Sequence, residues 1–564
     1  MNPMVRKWCA SVVGLAMMLS AALGFSLATS TMVSATTPSW TGSWALNPAD
    51  STGLVNGDAN AISCPSAGNC VAVGVSHSTL GSGSWTLLID EETNGVWANI
   101  AAPLPNDAAP YSAGSVGNQL SDVTCVSAGN CVAVGTYKLA IAGNSYAPLI
   151  LEEVNGQWSS ATTTLPSDAV DGYWDELTSV TCTAIGSCIA VGFYYYNGGT
   201  ANEAFITQEI NSVWGAISPT PLPSNASPAS GNNDSFSSVA CGSEICAAVG
   251  RYWDPTTSNT GWLIAGTDVT NFWVNVPSSF PADAVTGNGS QPDTGLASIS
   301  CPAVGTCVAV GRYNSSSGSK AAVVSGDVIT FPAGTTAPLP PDAATGTGPG
   351  DFVSDLQSVV CSSSTNCTAV GSYLNGAGKI LPLIDIETNG QWAAVAAPVP
   401  SDSVSGQPAF LSGIACTSFG NCVATGGYAN AAGNLSLIDV ESNGVWTNQA
   451  VILPSGAGPG IGQDETDGST IYAPVSCPSQ GTCVGIGYAY STTFSETRPM
   501  IVTESVAVTP AAPVVVTTST LAATGFNLVG AGFLGAMATV FGVGCLWVVR
   551  YRRDDQLSTS TNEA

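Results

Sequence analysis

The sequence of 564 residues predicts an all-β protein, an eight-bladed β-propeller of four-stranded blades between a signal peptide and a C-terminal transmembrane helix. Three observations predict it. A segment with two nearby cysteines and a small apolar run, "SCPSAGNCVAVG" at 63–74, recurs eight times. Its first cysteines lie 55 to 61 residues apart, a spacing typical of repeat folds. Each unit continues with strand-like segments and hairpin signals, and shows no helical period.

The first element is a signal peptide over residues 1–35. Arg6 and Lys7 precede an apolar run, and Val33-Ser34-Ala35 fits a signal-peptidase site. An uncleaved membrane anchor is the alternative. Either interpretation places the following residues outside the cell.

The second element is the propeller, predicted over residues 36–508. In the unit that starts at residue 121, the first strand ends at Cys125 and the second runs from Cys131 to Tyr137. "APLILEEV" is the third strand, Asn155-Gly156 is a hairpin turn, and "QWSSATTT" is the fourth strand. Four short strands repeated radially form the blade of a propeller. A β-helix or a row of separate modules is the alternative.

The two ends of the repeat array predict a closed ring. Seven units place an aromatic residue ten or eleven positions before a corner related to Leu-Pro-x-Asp-Ala. The eighth unit has no fourth strand after Glu504, but Trp40 stands ten residues before Asp50. The N-terminal strand is therefore predicted to complete the last blade and to leave no open sheet edge.

The cysteines outside the cell are predicted to form eight local disulfides, because exported cysteines oxidise. Zinc is not predicted, since each unit offers two thiols and His77 is the only histidine. No cofactor is predicted. The predicted pairs are Cys64 with Cys70, Cys125 with Cys131, Cys182 with Cys188, Cys241 with Cys246, Cys301 with Cys307, Cys361 with Cys367, Cys416 with Cys422, and Cys477 with Cys483.

The C-terminal elements are a linker over 509–520, a short motif over 521–525, a transmembrane helix over 526–549 and a cytoplasmic tail over 550–564. The span is uncharged and long enough to cross a bilayer, and three arginines follow it. The order of motif, span and arginines resembles the cell-wall sorting signal of Gram-positive surface proteins, in its LAxTG variant. The resemblance implies that a sortase cuts the motif and links the protein to peptidoglycan; a simple membrane anchor is the alternative. The motif consists of Leu521, Ala522, Ala523, Thr524 and Gly525.

The repeat itself resembles secreted actinobacterial proteins whose units carry S-V-x-C-x5-C-x-A-V-G followed by an N-G-x-W hairpin. The resemblance covers roughly residues 40–508. It implies a propeller, and no chemistry is assigned to that family. The turn before each Trp also resembles Asp-box propellers, but the aspartate-rich turn of that box is missing.

The charge of the extracellular part excludes some partners. It holds six of the 11 Lys and Arg residues and 35 of the 38 acidic residues, a net charge of −29. Such a surface repels nucleic acid and anionic lipid. Loop carboxylates could hold calcium, although no EF-hand spacing occurs. They include Asp122, Asp175, Glu176, Asp234 and Asp355.

Tyrosines and tryptophans gather in the loops that follow the second strands, among Gly, Asn and Ser, as in recognition surfaces. The tyrosines that recur in every unit are interpreted as structural plugs. Tyr195, Tyr196 and Trp253 depart from the repeat and are the candidate binding residues. The recurring Asp of the corner, as at Asp107, is expected to cap its own turn.

The sequence therefore predicts a cell-surface binding or adhesion propeller without catalytic residues, whose glycan or protein ligand it does not name. It is either anchored to the wall or held by a single membrane span. The alternative is a glycoside-active enzyme, a hydrolase or lyase, and a passive wall-coat protein also stays open. A sialidase-type site needs three clustered arginines, whereas Arg251 and Arg312 lie in adjacent blades and Arg498 lies far from them.

Overall fold

The structure, a computed structural model, describes residues 39–46, 55–78, 85–110, 117–141, 145–170, 173–199, 201–226, 234–242, 245–255, 259–267, 273–285, 294–303, 306–327, 330–346, 348, 351–404, 406–431, 433–458, 473–493 and 496–505. The predicted signal peptide, linker, sorting motif, transmembrane helix and tail lie outside these residues. Within the described part, no helix is long and apolar enough to span a membrane.

The described strands form eight four-stranded blades in a ring, which is the predicted propeller. β1 (Ser39–Trp44) comes first in the chain. Blades 1 to 4 follow as β2 (Val55–Ser66), β3 (Asn69–Ser78), β4 (Trp85–Thr93) and β5 (Val96–Asn99); β6 (Gln119–Ser127), β7 (Asn130–Lys138), β8 (Tyr146–Val154) and β9 (Gln157–Ala161); β10 (Glu176–Ala184), β11 (Ser187–Tyr196), a 3-10 turn (Asn197–Gly199), β12 (Ala201–Ile210), β13 (Val213–Trp214) and β14 (Ser218–Pro219); and β15 (Ser235–Cys241), β16 (Cys246–Asp254), β17 (Asn259–Thr267) and β18 (Trp273–Asn275).

Blades 5 to 8 repeat the arrangement. Their strands are β19 (Gly295–Ala303), β20 (Thr306–Ser315), β21 (Gly318–Gly326) and β22 (Thr335–Thr336); β23 (Ser354–Ser363), β24 (Asn366–Leu374), β25 (Ile380–Thr388) and β26 (Gln391–Ala396); β27 (Ala409–Ser418), β28 (Asn421–Asn430), β29 (Gly433–Ser442) and β30 (Val445–Asn448); and, after β31 (Val451–Ile452) and β32 (Ala457–Gly458), β33 (Val475–Ser476), β34 (Val484–Ser491) and β35 (Glu496–Ser505).

The N-terminal strand closes the ring, as predicted. β1 pairs antiparallel with β35 from Ser39 opposite Ser505 to Trp44 opposite Met500, and so forms the fourth strand of blade 8. On its other side β1 pairs in parallel with β31, so its outer edge is also covered. Trp40 is fully buried between these neighbours. Removing β1 would expose this side chain and the edge of β35.

Each cysteine pair links the first strand of a blade to the second strand at or beside the turn that connects them. All eight pairs form disulfides, and Cys125 lies opposite Cys131 in the register of β6 and β7. The predicted end of the first strand at Cys125 was wrong: the strand continues through a bulge to Ser127, and the turn contains two residues. Gly129 takes a φ of 74° in that turn, which favours glycine.

The glycine of the repeated Val-Ala-Val-Gly run is required because the first strand shifts its register beside it. Gly135 lies opposite Leu120, next to a register shift in β6. A Cβ atom at this position would come within 2.0 Å of the Gln119 carbonyl oxygen. At the equivalent glycines of the first seven blades, a Cβ atom would also clash with a backbone oxygen of the first strand. Glycine is therefore required at this position of the repeat because the two backbones lie so close.

Both faces of each blade are covered by neighbouring blades, which explains why the second strands are apolar at successive positions. Ala133 of β7 packs toward blade 1 with Val73, whereas Val132 and Val134 pack toward blade 3 with Leu177. Serine hydroxyls also link consecutive inner strands. The N–H of Cys125 donates to Ser63 at 3.0 Å, and the N–H of Cys64 donates to Ser476 at 3.0 Å across the closing junction.

Candidate functional site: the central channel

The first strands of blades 1 to 6 line a central cavity of about 570 Å³. In blades 2 to 6, the residues six and four positions before the first cysteine face this cavity, and in blade 1 the residue four positions before it does. They are the places where the otherwise similar first strands differ most in chemistry. The cavity is lined at these positions by Asn60, Gln119, Ser121, Glu176, Thr178, Ser235, Ser237, Gly295, Ala297, Asp355 and Gln357.

Sequence reasoning missed most of these residues because it searched the long loops. The sequence does contain a signal for them, because they lie at fixed distances before the first cysteine of each unit. Counting back six and four positions from each first cysteine gives Gln119 and Ser121 in one blade, and Asp355 and Gln357 in another. Positions that vary inside a repeated strand mark a surface that the blade does not need for its own packing.

Glu176 of blade 3 is held in the cavity wall by three donors. Its Oε1 accepts from the Gln119 amide at 2.8 Å and from the Ser121 hydroxyl at 2.5 Å. Its Oε2 accepts from the Trp174 indole at 2.8 Å. The carboxylate therefore bridges blades 2 and 3 while its edge lines the channel.

Asp355 of blade 6 is held in a comparable way. Its Oδ1 accepts from the backbone N–H of Ser372 at 3.1 Å and from the hydroxyl of Ser372 at 2.6 Å. Its Oδ2 accepts from the amide of Gln357 at 2.5 Å. Both acidic side chains of this lining thus accept hydrogen bonds on both oxygens.

Two arginines line the same cavity from adjacent blades. Arg251 lies opposite Ser235, and Arg312 lies opposite Gly295. The small residues on the inner strands leave room for the long side chains. Arg498 is elsewhere: it is nearly buried in the closing blade, with its guanidinium 5.4 Å from the centre of the Trp44 ring.

The three predicted binding residues lie on the same face as the arginine end of the channel, and all three are half-buried. The ring of Tyr195 stacks on Tyr173 at 5.4 Å and meets the edge of Phe193, a cavity residue, at 6.2 Å. The ring of Tyr196 contacts the ring of Tyr194 on the same strand. The backbone N–H of Trp253 donates to Asp234 at 2.7 Å. Tyr195 is therefore the one that extends the channel wall.

Four of the recurring tyrosines are buried near the ends of the second strands, and each donates to the Asp in the corner of the preceding blade. Tyr137 donates to Asp107 at 3.1 Å and Tyr313 to Asp283 at 2.7 Å. The sequence suggests that the corner Asp caps its own turn. In the structure this Asp accepts a hydrogen bond from a tyrosine of the next blade, because a buried hydroxyl needs an acceptor. Burial and then Asp107 raise the pKa of Tyr137. The same contact joins Tyr194 to Asp168 and Tyr373 to Asp342.

The carboxylates considered for calcium serve contacts within and between blades. Asp122 accepts from the Ser179 hydroxyl and the Val180 N–H, both at 2.9 Å, and burial raises its pKa to about 6. Asp175 accepts from the N–H of Tyr195 at 2.7 Å. In the described part of the chain, His, Cys, Asp and Glu nowhere gather in threes as a metal site.

Several acidic side chains are buried between blades with few or no hydrogen bonds to offset the cost of burial. Asp90, Asp385 and Asp439 occupy one equivalent position on their third strands and are fully buried. Burial raises the pKa of Asp385 to about 8 and that of Asp439 to about 7. The pKa of Asp90 rises to about 6, since hydrogen bonds from Asn99 and the Leu46 N–H oppose the effect of burial.

Two further acids pair with carboxyl groups of the preceding blade. Glu153 lies near Glu91, and Glu209 lies near Glu152; burial and then the neighbouring carboxylate raise the pKa of Glu153 and of Glu209. Two neighbouring carboxyl groups repel each other when both are ionised, so one of them holds its proton more tightly. Burial and a neighbouring carboxyl group thus favour the protonated form of Glu153 and Glu209 at these two interfaces.

No family model and no curated protein matches the chain. Among solved structures, a Dyadobacter fermentans protein of unknown function is 9% identical, with 67% of this chain and 92% of that chain covered and a TM-score of 0.34. The β-propeller domain of the Trilobed protease from Pyrococcus furiosus is 7% identical, with 70% and 99% covered and a TM-score of 0.35. A Hadza microbial sialidase is 9% identical, with 63% and 68% covered and a TM-score of 0.33. Likenesses of this size carry no argument about function.

Proposed function

We propose that this protein is an extracellular binding propeller whose ligand enters the central channel. The observation that carries the proposal is the 570 Å³ cavity, whose lining varies between blades while the rest of each blade repeats. Its volume lies within the range of small-molecule sites, roughly 300–1,000 Å³. The amides, the hydroxyls and the half-buried ring of Phe193 in the lining suit a glycan or a peptide side chain better than a purely apolar ligand.

The proposal includes attachment to the cell through the C-terminal motif. Ser505, the last described residue, lies at the cysteine end of β35, near Cys483. Arg251 and Arg312 lie at the other ends of their second strands.

A glycoside-active enzyme is the second candidate, favoured by one observation: Glu176 and Asp355 line one cavity from different blades. Hydrolysis by a carboxyl pair needs one member that delivers a proton. Here every oxygen of the two groups accepts from a protein donor. This arrangement supports binding over hydrolysis.

The test is an array of glycans and matrix proteins probed with the soluble propeller, residues 36–508. Ser237 faces the channel, and Ser237→Trp should fill the cavity and abolish binding of each captured ligand. Val445→Trp is the matched control, because Val445 is 63% exposed on a hairpin tip at the opposite face. If Ser237→Trp leaves binding intact, the ligand does not use the channel. Release of reducing sugars that Glu176→Gln abolishes would instead establish the enzyme.

A further inference from the structure

A smaller cleft lies between blades 2 and 3, at the end of the propeller that carries the cysteine turns. Its volume of about 80 Å³ is several times what one water molecule needs, so a small part of a ligand fits. Two acids, Glu152 and Glu209, line it together with three apolar side chains, Val126, Val154 and Ile185. We propose that this cleft binds an alkylammonium group, the charged end of a lysine side chain or of a free amine.

The two glutamates approach each other from neighbouring blades. Glu152 of β8 lies two positions after the core residue Ile150 and so faces blade 3. Glu209 of β12 lies four positions after the core residue Phe205 and so faces blade 2. The Trp214 indole donates to Glu152 Oε1 at 2.7 Å. Glu209 is 5% exposed, and its Oε2 has no hydrogen-bond partner among the described residues. A buried carboxylate oxygen without a donor favours a ligand that brings one.

The charge of the cleft favours a cation. Burial and then Glu152 raise the pKa of Glu209 to about 7, because two neighbouring carboxylates repel each other. An ammonium group between the two acids would offset this repulsion and donate hydrogen bonds to both. Such charge-assisted bonds are about twice as strong as bonds between neutral groups. The extracellular part, with its net charge of −29, also attracts cations to the surface.

The apolar rim favours a cation on a hydrocarbon stem. Val126, Val154 and Ile185 are 39%, 48% and 57% exposed. A lysine packs its methylene groups on such a surface while its charged end makes polar contacts. Ile210 and Val213, at the hairpin tip of blade 3, are 62% and 68% exposed and extend this surface. The cleft shares no lining residue with the central channel, so the inference does not rest on the proposed function.

The interface between blades 1 and 2 supplies a matched control within the chain. Glu91 and Glu153 form the equivalent carboxyl pair there. Thr93 and Ala128, however, stand where the cleft has the valine of its third strand and the isoleucine of its cysteine turn. The acid pair is thus present without the apolar rim, and this interface should bind an alkylammonium group more weakly.

The experiment measures the binding of small probes to the full-length protein in detergent by ligand-observed NMR. The probes are n-butylamine, which is the side chain of lysine, the peptide Nα-acetyl-lysine-N-methylamide, and uncharged 1-butanol. Both cations should bind at least about tenfold tighter than butanol at pH 8.5. This advantage should shrink at pH 5, where Glu209 is protonated and both ammonium groups keep their charge. The tighter of the two cations distinguishes a lysine within a peptide from a free amine.

Glu209→Gln should weaken butylamine binding about tenfold or more and Ile185→Ser about threefold, whereas Glu153→Gln should leave it unchanged. Melting temperatures verify that the variants fold, and the pH and butanol comparisons need no variant. Equal binding of butylamine and butanol, or full affinity in Glu209→Gln, would overturn the assignment. An equal loss in Glu153→Gln and Glu209→Gln would also overturn it, because the acidic surface as a whole would then attract the probe. These outcomes leave ligand binding in the channel untouched.

Discussion

Replacing Asp385 by asparagine is expected to stabilise the propeller at and above neutral pH and to change little near pH 4. Asp385 is fully buried between blades, and neither of its carboxylate oxygens meets a hydrogen-bond partner among the described residues. Burial raises its pKa from 3.8 to about 8. Equivalent positions hold Leu151 in blade 2 and Val324 in blade 5, so the fold does not need a charge here.

The magnitude follows from the difference in pKa between the folded and unfolded chain. An acid with a raised folded pKa binds its proton more tightly when folded, so its full contribution is present below pH 3.8. That contribution is lost as the pH rises through about 8. The pKa differs by about four between the folded and unfolded chain, and each pKa unit corresponds to about 1.4 kcal/mol. The free energy of unfolding of wild type and variant should therefore differ by at most about 5 kcal/mol at pH 8. The asparagine side chain has the same shape as the protonated acid, and it does not ionise in this pH range.

The assay is thermal unfolding from pH 4 to pH 8, followed by circular dichroism. Asp439→Asn and Asp90→Asn are matched comparisons at the equivalent position, with pKa values raised to about 7 and about 6. The gain at pH 8 should therefore fall in the order Asp385, Asp439, Asp90. The last variant also weakens the acceptor of the Leu46 N–H, which reduces its gain further. A Tm of Asp385→Asn that runs parallel to wild type across this pH range would refute the reasoning.

Three further outcomes are expected. Deleting residues 36–50 should lower the Tm sharply, because Trp40 and the edge of β35 become exposed; a deletion protein that melts like wild type would contradict ring closure. Peptide mapping without reductant should find only disulfides within blades, and a Cys125→Ser, Cys131→Ser pair should cost about 2 kcal/mol of stability, since the ring is short; bridges between blades would exclude this pairing. Thr524→Ala should move the protein from the wall fraction to the membrane fraction, and wild-type protein found wholly in the membrane with residues 526–564 attached would disprove sorting.

The repeat made much of the fold predictable. Eight cysteine pairs at a steady period gave the number of blades, and the missing fourth strand after Glu504 together with Trp40 gave the closure. These features are local in sequence, and each blade reproduces the same backbone pattern. The sequence also predicts that the loops after the second and fourth strands of a blade meet at the same end of the propeller, and ligand binding at that end stays a prediction.

Only the tertiary structure could show what the ring places together. Gln119 and Glu176 are 57 positions apart in the chain, and Arg251 and Arg312 are 61 apart, yet each pair lines one channel. The sequence alone determined the blade, because hairpins, disulfides and glycine positions depend on residues close in the chain. The structure decided the site, because a channel is formed by the inner strands of blades that become neighbours only when the ring closes.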